Sequence, residues 1–269
     1  MKTKEALMRG KQVLNALDAE VLFMHAAKLS RIEMLNQREE ELNPGVWERY
    51  AAFLETRKNN KPVAYITKQV EFMSLDFYVD ERVLIPRPDT EILVEEVLNY
   101  NKPKDVLEWC TGSGCIAVSL AVYAPFFNIT AIDISPHALA VAEINAQRHN
   151  AEITFLEKDV FGDWSGLFTY DIIIANPPYI PAAHLQTLDK SVKDYEPTLA
   201  LNGGEDGLNF YRCIAKKSRC FLKPGGMLLF EIGYDQSEDV CRLLFEYQFK
   251  NIEVKKDLAG HPRVVKGER

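Results

Sequence analysis

The stretch DVLEWCTGSGCIAVSLAVYA, residues 105–124, decides the fold class of this chain. A short apolar run typical of a buried strand leads through a glycine turn into a longer apolar run typical of a helix. The same alternation recurs downstream, with strand patterns at 128–135, 153–160, 170–176 and 225–233 and helix patterns at 136–150 and 207–222. This repetition predicts an α/β fold with a mainly parallel, Rossmann-like sheet covered by helices. The last stretch, 251–268, predicts two closing strands.

The residues before that sheet fall into two further regions. Residues 1–60 carry apolar positions at helical spacing and predict a small helical domain of two or three short helices, without a cofactor motif. Residues 61–88 predict a β-hairpin linker. Its strand-like segments are VAYIT at 63–67, VEFMSLDFYVD at 70–80 and VLIP at 83–86. A helix with Asp89 as its N-cap is expected to open the large domain, 89–269.

Composition sets bounds on location and partners. The 269 residues are 47% hydrophobic and 26% charged, with no apolar run of the roughly 18 residues of a membrane helix and no signal peptide core. These features predict a cytoplasmic protein without a membrane partner. Five cysteines without a C-x-x-C pair and five scattered histidines suggest neither a disulfide framework nor a metal site. The net charge of −7 argues against a nucleic acid partner held through its phosphates.

The glycine turn predicts a nucleotide-like cofactor at the carboxyl end of its strand. Gly112 and Gly114 allow the backbone to approach a ligand, although an ordinary tight turn uses the same residues. Asp133 ends the next strand pattern, where an acid can bind both hydroxyls of a ribose. Because GSGCIA also meets the dinucleotide pattern, the turn alone leaves nicotinamide dinucleotides and S-adenosylmethionine open. Glu108 favours S-adenosylmethionine, since an acid there can meet a cationic methionyl group and would repel a pyrophosphate.

The run IIIANPPYIP, residues 172–181, selects between these cofactors. An amide or aromatic amino nitrogen is a poor nucleophile because its lone pair is delocalised, and a site helps by accepting both of its hydrogens. The Asn176 side-chain oxygen and the Pro177 carbonyl can be those acceptors, and Tyr179 offers a flat face. The prolines hold the loop without a competing N–H. This pattern predicts methyl transfer to a planar nitrogen by orientation and pre-placed acceptors, without a strong general base.

Three other interpretations start from the same residues. N-P-P-Y can be a proline-rich turn after a strand in which Tyr179 only packs, but its position beside the glycine turn and Asp133 disfavours this. A methyltransferase acting on amino groups of nucleic acid bases would keep residues 176–179 but should carry a basic groove. A cofactor sensor or scaffold without catalysis would not need an intact N-P-P-Y.

From about residue 60 to 265 the chain resembles the bacterial peptide-chain release factor N5-glutamine methyltransferases, the HemK/PrmC family. The resemblance rests on PVAYITKQVEF, VLIPRPDTE, TGSGCIAVSLA, AIDIS, NPPYIP, YEPTLALNGGEDGL and LKPGGMLLFEIG. IPRPDTE and YEPTLAL are far more specific than the glycine turn, and with NPPYI they separate this family from nucleic acid amino-methyltransferases. The helical N-terminal region is similar to the family in kind more than in sequence.

The resemblance implies a class I methyltransferase fold with an antiparallel final strand, preceded by a helical domain that docks the substrate. It implies S-adenosylmethionine-dependent methylation of the glutamine in the Gly-Gly-Gln motif of release factors, and a monomer is expected. Asn176, Pro177 and Tyr179 would be catalytic, and with Pro178 they would bind the glutamine. The expected cofactor-binding residues are Glu108, Cys110, Thr111, Gly112, Ser113, Gly114, Asp133, Asp159, Val160 and Asn176.

The chain departs from the family pattern at two positions. Cys110 stands at the first glycine of the turn, and if that position needs a positive φ the thiol residue costs on the order of 1 kcal/mol. A small buried residue is the expected role of Cys110, rather than a catalytic thiol. Val160 stands where many family members have tryptophan, and Trp164, four residues on, is expected to pack or to cover the site without binding the cofactor.

Overall fold

The computed structural model describes residues 1–102, 104–166 and 168–269. These residues form two compact units. The first unit comprises Met1–Gln69 and Asp189–Tyr195, and the second comprises Val70–Leu188 and Glu196–Arg269. No helix in the described residues is long and apolar enough to cross a membrane.

Helices and strands are numbered along the chain. The helices are α1 (Thr3–Val13), α2 (Ala16–Ala27), α3 (Arg31–Asn36), α4 (Pro44–Lys58), α5 (Val63–Thr67), α6 (Glu91–Leu98), α7 (Cys115–Tyr123), α8 (Pro136–Arg148), α9 (Lys190–Lys193), α10 (Asn209–Phe221) and α11 (Ser237–Glu246). The strands are β1 (Val70–Phe72), β2 (Leu75–Phe77), β3 (Asp105–Trp109), β4 (Asn128–Asp133), β5 (Thr154–Glu157), β6 (Tyr170–Ala175), β7 (Leu222–Glu231), β8 (Lys250–Lys256) and β9 (Pro262–Glu268). Short 3-10 turns cover Pro88–Thr90, Ala182–Thr187 and Thr198–Ala200.

The first unit is a group of helices around a small apolar core. Leu22, Phe23 and Tyr50 are completely buried in it, and the Tyr50 hydroxyl donates to the carbonyl of Ala19 at 3.1 Å. Residues 1–60 hold four helices where the sequence predicted two or three. The breaks after α1 and α2 cover only residues 14–15 and 28–30, so they interrupt the helical spacing of apolar residues very little.

Residues 63–67 form helix α5, and the strand predicted there is wrong. Pro62 begins the helix with φ −56°, and Lys68 ends it in the left-handed conformation with φ 55°. Val63 and Ile66 are three residues apart and therefore share one helix face, which packs on the core of the first unit. Packing here outweighs the strand preference of β-branched residues.

Strands β1 and β2 form an antiparallel hairpin within the predicted linker, with Val70 opposite Phe77. Its two turn residues, Met73 and Ser74, both have positive φ, 50° and 56°, as a tight two-residue hairpin turn requires. The hairpin belongs to the second unit, and Phe72 packs in its core.

The strand predicted at 83–86 is also wrong. The Ile85 N–H donates to the Glu196 carboxylate at 3.3 Å instead of pairing with a strand, and Pro86 has no N–H to donate. Asp89 is not the N-cap of α6, because a 3-10 turn precedes the helix and Thr90 takes the capping position.

The second unit is built on a seven-stranded sheet with the order β5-β4-β3-β6-β7-β9-β8. Strand β3 pairs in parallel with β4 and β6, and β6 pairs in parallel with β7. Only β9 runs antiparallel, between β7 and β8. The sheet confirms the predicted α/β class with an antiparallel final strand. The chain leaves β3 towards β4 on one side and returns to β6 on the other, which creates a crevice at the carboxyl ends.

Helices cover both faces of this sheet. Ile172 and Ile174 of β6 face a core with α6 and α7, whereas Ile173 faces a second core with α10 and α11. A strand buried on both faces has no polar alternation, which explains the continuous apolar run before Asn176. Helix α11 is absent from the sequence prediction, although Val240 and the buried Leu244 already show its spacing.

Candidate active site

Four neighbouring strands end at one edge of the sheet. Trp109 is in register with Ile132 and with Ala175, and Ala175 is in register with Phe230. The next residue along each strand therefore lies at this edge. These residues are Asp133, Cys110, Asn176 and Glu231.

A cavity of about 240 Å³ opens at this edge. Six of the predicted cofactor residues line it, namely Cys110, Gly112, Asp133, Asp159, Val160 and Asn176. Residues from 82–84 and 197–200 form further walls that the sequence did not point to. Ile134, Phe161 and Leu199 line it while remaining 46%, 51% and 53% exposed. They offer apolar faces on which a purine ring can lie.

The glycine turn has three residues in the left-handed region. Cys110, Gly112 and Gly114 have φ of 60°, 55° and 77°. At Gly114 a Cβ would lie 2.9 Å from the Cβ of Ala142, so only glycine fits against α8. At Gly112 no atom of the described residues lies within 4 Å of an added Cβ. Its open side leaves room for a ligand to approach the backbone.

Asn145 of α8 anchors this turn, a role that the sequence did not predict. Its Nδ2 donates to the Ser113 carbonyl at 2.8 Å and to the Tyr78 carbonyl at 3.0 Å. Its Oδ1 accepts from the Tyr78 N–H at 2.7 Å. The partners are 32 and 67 residues away in the sequence, so no local pattern could have indicated this role.

Glu108 is buried behind the turn, together with Thr111, and does not line the cavity. Its Oε2 accepts from the Thr111 hydroxyl at 2.8 Å and from the Ala117 N–H at 3.1 Å. Its Oε1 has no hydrogen-bond partner in the described part of the chain. Burial raises the pKa of Glu108 to about 8. Glu108 therefore lies behind the turn with one oxygen unpaired, and its predicted contact with an amino group of the cofactor stays a prediction.

Asp133 is held by the backbone on both of its oxygens. Oδ2 accepts from the Gly112 N–H at 2.9 Å, and Oδ1 accepts from the Ser135 N–H at 3.0 Å. Burial raises its pKa, which these backbone bonds partly offset. Each oxygen keeps a lone pair, so the fixed carboxylate can accept hydrogen bonds from two neighbouring hydroxyls in the cavity.

Asp159 and Val160 form the wall after β5. The Val160 carbonyl accepts from Trp164 Nε1 at 2.9 Å and from Lys217 Nζ at 2.9 Å. Trp164 is buried and stacks on Trp109 with ring centroids 4.4 Å apart. Trp164 therefore packs behind the wall, and it is not among the cavity-lining residues of the described chain.

Of the four N-P-P-Y residues, Asn176 and Pro178 line the cavity in the described chain. Its Nδ2 donates to the Thr90 hydroxyl oxygen at 3.3 Å. Pro177 is buried, and Tyr179 is partly buried with its pKa raised to about 12 by that burial. Pro177 and Tyr179 therefore lie beside the cavity and not in its wall.

The loop after Asn176 is held by glycines and a glutamine. An added Cβ at Gly203 would lie 2.7 Å from the Tyr179 Cα, and one at Gly207 would lie 2.3 Å from the Tyr179 carbonyl oxygen. The Tyr179 carbonyl accepts from Gln236 Nε2 at 3.0 Å. This close approach explains why NGGEDGL accompanies N-P-P-Y in the chain.

This fold and this cavity define a methyltransferase of class I. Residues 88–205 match the family model described as Methyltransferase small domain, and residues 4–67 match the PrmC N-terminal domain. A methyltransferase from Pyrococcus furiosus superposes with a TM-score of 0.56 at 17% identity, over 73% of this chain and 90% of that chain. The T. thermophilus 16S rRNA N2 G1207 methyltransferase, in complex with AdoMet and guanosine, superposes with a TM-score of 0.52 at 14% identity, over 75% and 49%. At these identities the two structures share the fold alone.

The chain is 42% identical to the release factor glutamine methyltransferase of Clostridium acetobutylicum, over 98% of either chain. It belongs to the release factor glutamine methyltransferase family. The motifs alone supported the resemblance only from about residue 60 onwards. The match to the family's N-terminal model extends it to residues 4–67.

Proposed function

We infer that this chain transfers a methyl group from S-adenosylmethionine to the side-chain amide nitrogen of the glutamine in the Gly-Gly-Gln motif of peptide-chain release factors. Family membership supports the reaction and the class of substrate. The observation that carries the proposal is the Asn176 amide at the cavity. Its Nδ2 donates to Thr90 at 3.3 Å, and its Oδ1, which has no donor among the described residues, can accept a hydrogen from the reacting amide.

The cavity residues bind the cofactor, whose sulfonium supplies an electrophilic methyl group. Asp133 accepts hydrogen bonds from the ribose hydroxyls, and Asp159 with Val160 lies beside the adenine base of the cofactor. Glu108 Oε1 and the turn from Cys110 to Gly114 hold the methionyl end. This assignment is supported by the free oxygen of Glu108, the paired backbone bonds to Asp133 and the open side of Gly112.

Asn176 and the Pro177 carbonyl orient the substrate amide. Accepting both N–H hydrogens holds the nitrogen lone pair towards the methyl group, and Tyr179 packs along the amide plane with Pro178. The Asn176 side chain lies in a cavity with apolar walls, where such hydrogen bonds are stronger than in water. The proton leaves after transfer, when the nitrogen has become acidic, so no side chain needs to act as a strong base.

We propose that residues 1–60 dock the release factor, that 61–88 link them to the enzyme, and that 89–269 perform the chemistry. Several apolar side chains of α1 to α3 are exposed without a role in the core, among them Leu17 at 70% and Ile32 at 72%. We further propose a monomer that works in the cytoplasm, where translation takes place. A nucleic acid base is not the favoured substrate, because the net charge is −7 and the family acts on protein.

The direct experiment incubates the protein with a bacterial release factor and methyl-labelled cofactor, followed by peptide mass spectrometry. We expect one methyl group on the glutamine of Gly-Gly-Gln and none on a release factor with that glutamine replaced by asparagine. Ribosomal RNA and genomic DNA serve as competing substrates. Label on nucleic acid and none on release factor would overturn the proposal. Leu17→Ser combined with Ile32→Ser should raise KM for release factor while cofactor binding stays unchanged, and an unchanged KM would refute the docking role.

A further inference from the structure

The cavity wall formed by residues 159–162 extends beyond the edge of the sheet. Strand β5 is the edge strand of the described sheet, next to β4. Its last backbone bond to β4 runs from the Lys158 N–H to the Asp133 carbonyl at 3.1 Å. Residues 159–162 then form a turn, which the Gly162 N–H closes by donating to the Asp159 carbonyl at 3.0 Å. No strand of the described residues flanks this turn on its outer side.

Local hydrogen bonds give the turn its shape. Asp159 Oδ1 accepts from the Phe161 N–H at 2.9 Å, and both residues line the cavity. The carboxylate keeps lone pairs that can accept hydrogens from the amino group of an adenine ring. These bonds join residues of one turn to each other, so they do not fix the position of the turn relative to the rest of the cavity.

One side of helix α10 supplies contacts that do fix that position. Phe210, Cys213 and Lys217 are three and four residues apart, so they lie on the same side of the helix. The Phe210 ring packs edge to face on Phe161, with the ring centroids 4.9 Å apart. Cys213 Sγ donates to the Val160 carbonyl at 3.2 Å, across 53 residues of sequence. The turn therefore rests on a helix that is distant in the sequence.

Lys217 makes the charged contact between this helix and the turn. Its Nζ donates to the Val160 carbonyl at 2.9 Å and to the Gly162 carbonyl at 2.6 Å. Nζ also lies 5.4 Å from the centroid of the Trp164 ring, so all three ammonium hydrogens have a partner. A charged donor binds a carbonyl more strongly than a neutral donor does. Because the two bound carbonyls lie on either side of Phe161, one ammonium group fixes the direction of the whole turn.

We propose that Lys217 is a positioning residue for the cofactor base, which holds the Val160 and Gly162 carbonyls and so keeps the Asp159 carboxylate where the amino group of adenine binds. Lys217 is not among the cavity-lining residues of the described chain, and it therefore acts through the turn. The inference rests on the cofactor site of the proposed function and does not depend on which group receives the methyl.

The test compares two ligands that differ only in the purine. S-inosylhomocysteine has a carbonyl oxygen where S-adenosylhomocysteine has the amino group, so it places an acceptor against Asp159. Calorimetric titration of the wild type should show the adenosyl compound bound about tenfold or more tightly, the factor that one hydrogen bond to a charged group represents. In Lys217→Met this preference should fall to less than about threefold, because the freed turn no longer aims the carboxylate.

Lys216→Met is the matched control, because it removes the same charge from an exposed position on the same helix. It should retain the preference of the wild type. Both ligands are titrated into one preparation, so unfolded protein lowers the number of sites and leaves the ratio of the two affinities unchanged. An unchanged preference in Lys217→Met, or an equal loss of preference in Lys216→Met, would overturn the proposal.

The wild type separates this inference from the proposed function. If the wild type does not discriminate between the two ligands, adenine does not lie beside Asp159 and the role of Lys217 is refuted. If the wild type discriminates between them but does not methylate release factor, the proposed substrate is wrong, and the comparison of Lys217→Met with Lys216→Met still decides the role of Lys217.

Discussion

Arg87 and Glu196 form a partly buried ion pair, with Nη2 and Oε1 2.5 Å apart. Glu196 also accepts from the Ile85 N–H at 3.3 Å, and its side chain is 1% exposed. The pair joins IPRPDTE to YEPTLAL and holds the two segments, 82–84 and 197–200, that form the walls of the cavity.

Glu196→Gln should therefore weaken both folding and cofactor binding. The substitution leaves Arg87 without its charge partner, and we expect a loss of about 1–3 kcal/mol, less than for a completely buried pair because Arg87 is 37% exposed. Urea unfolding and calorimetric titration with S-adenosylmethionine measure the two effects. Glu253→Gln, which breaks contacts of an exposed carboxylate with Lys255 and Lys266, is the control and should change stability by less than about 1 kcal/mol.

Gly203→Ala should displace Tyr179. The added Cβ would meet the Tyr179 Cα at 2.7 Å, and backbone cannot move aside as a flexible side chain can. We expect methylation to fall by about tenfold or more, with a smaller change in cofactor affinity, because the proposed role of Tyr179 is to pack along the substrate amide. Gly260→Ala meets no atom within 4 Å in the described structure but has φ 87°, so it reports strain without a clash. Equal rates for the two variants would contradict the packing role of Gly203.

Cys110 should carry backbone strain that glycine removes. Its φ of 60° is the positive value that the sequence predicted to be costly for a residue other than glycine. Cys110→Gly should be more stable than Cys110→Ala by about 1 kcal/mol, since both lose the thiol and differ only in tolerance of positive φ. Urea unfolding of the pair measures the difference, and cofactor titration shows whether the strain affects binding. Equal stability of the two variants would mean that the turn adapts to a side chain.

Asn176→Asp should reduce turnover much more than cofactor affinity. The carboxylate retains an acceptor, but it loses the NH₂ that Thr90 accepts and adds a charge beside Glu231 and the sulfonium. That charge stabilises the cationic ground state more than the charge-dispersed transition state, which slows transfer. Cofactor affinity, melting temperature and single-turnover rate on one preparation separate the effects. A stably folded variant with unchanged turnover would refute the role of Asn176 in positioning the amide.

Glu231 should make folding less favourable as the pH rises. Its folded-state pKa of about 7 is above the ordinary value of 4.5, so between these values the folded protein holds a proton that the unfolded chain releases. Stability is therefore lost as the pH rises through this window, by about 3 kcal/mol in full. Relative to wild type, Glu231→Met should gain stability from pH 5 to pH 8, measured by urea unfolding at both. Glu253 has a lowered pKa, so Glu253→Gln should show no such gain.

Local patterns account for the parts of the molecule that the sequence could predict. Consecutive residues encode the apolar runs of β3 and β6, the glycine turn and the N-P-P-Y loop. In a parallel sheet the carboxyl ends of neighbouring strands meet at one edge, so these segments come together as a consequence of the fold. For this reason Asp133, Gly112 and Asn176 were correctly predicted to share one edge. The helix at 63–67 was missed because its packing on the first-unit core, and not its β-branched residues, determines its conformation.

By itself the sequence determined the class of fold, the family and the loops that line the cavity, because these depend on periodicity, on glycine and proline chemistry and on motifs of adjacent residues. Only the tertiary structure decided which groups hold those loops. Thr90 meets Asn176 across 86 residues and Glu196 meets Arg87 across 109, and Glu231 joins the site through strand register. Burial then makes these polar contacts specific, because a group removed from water must find its partner within the fold.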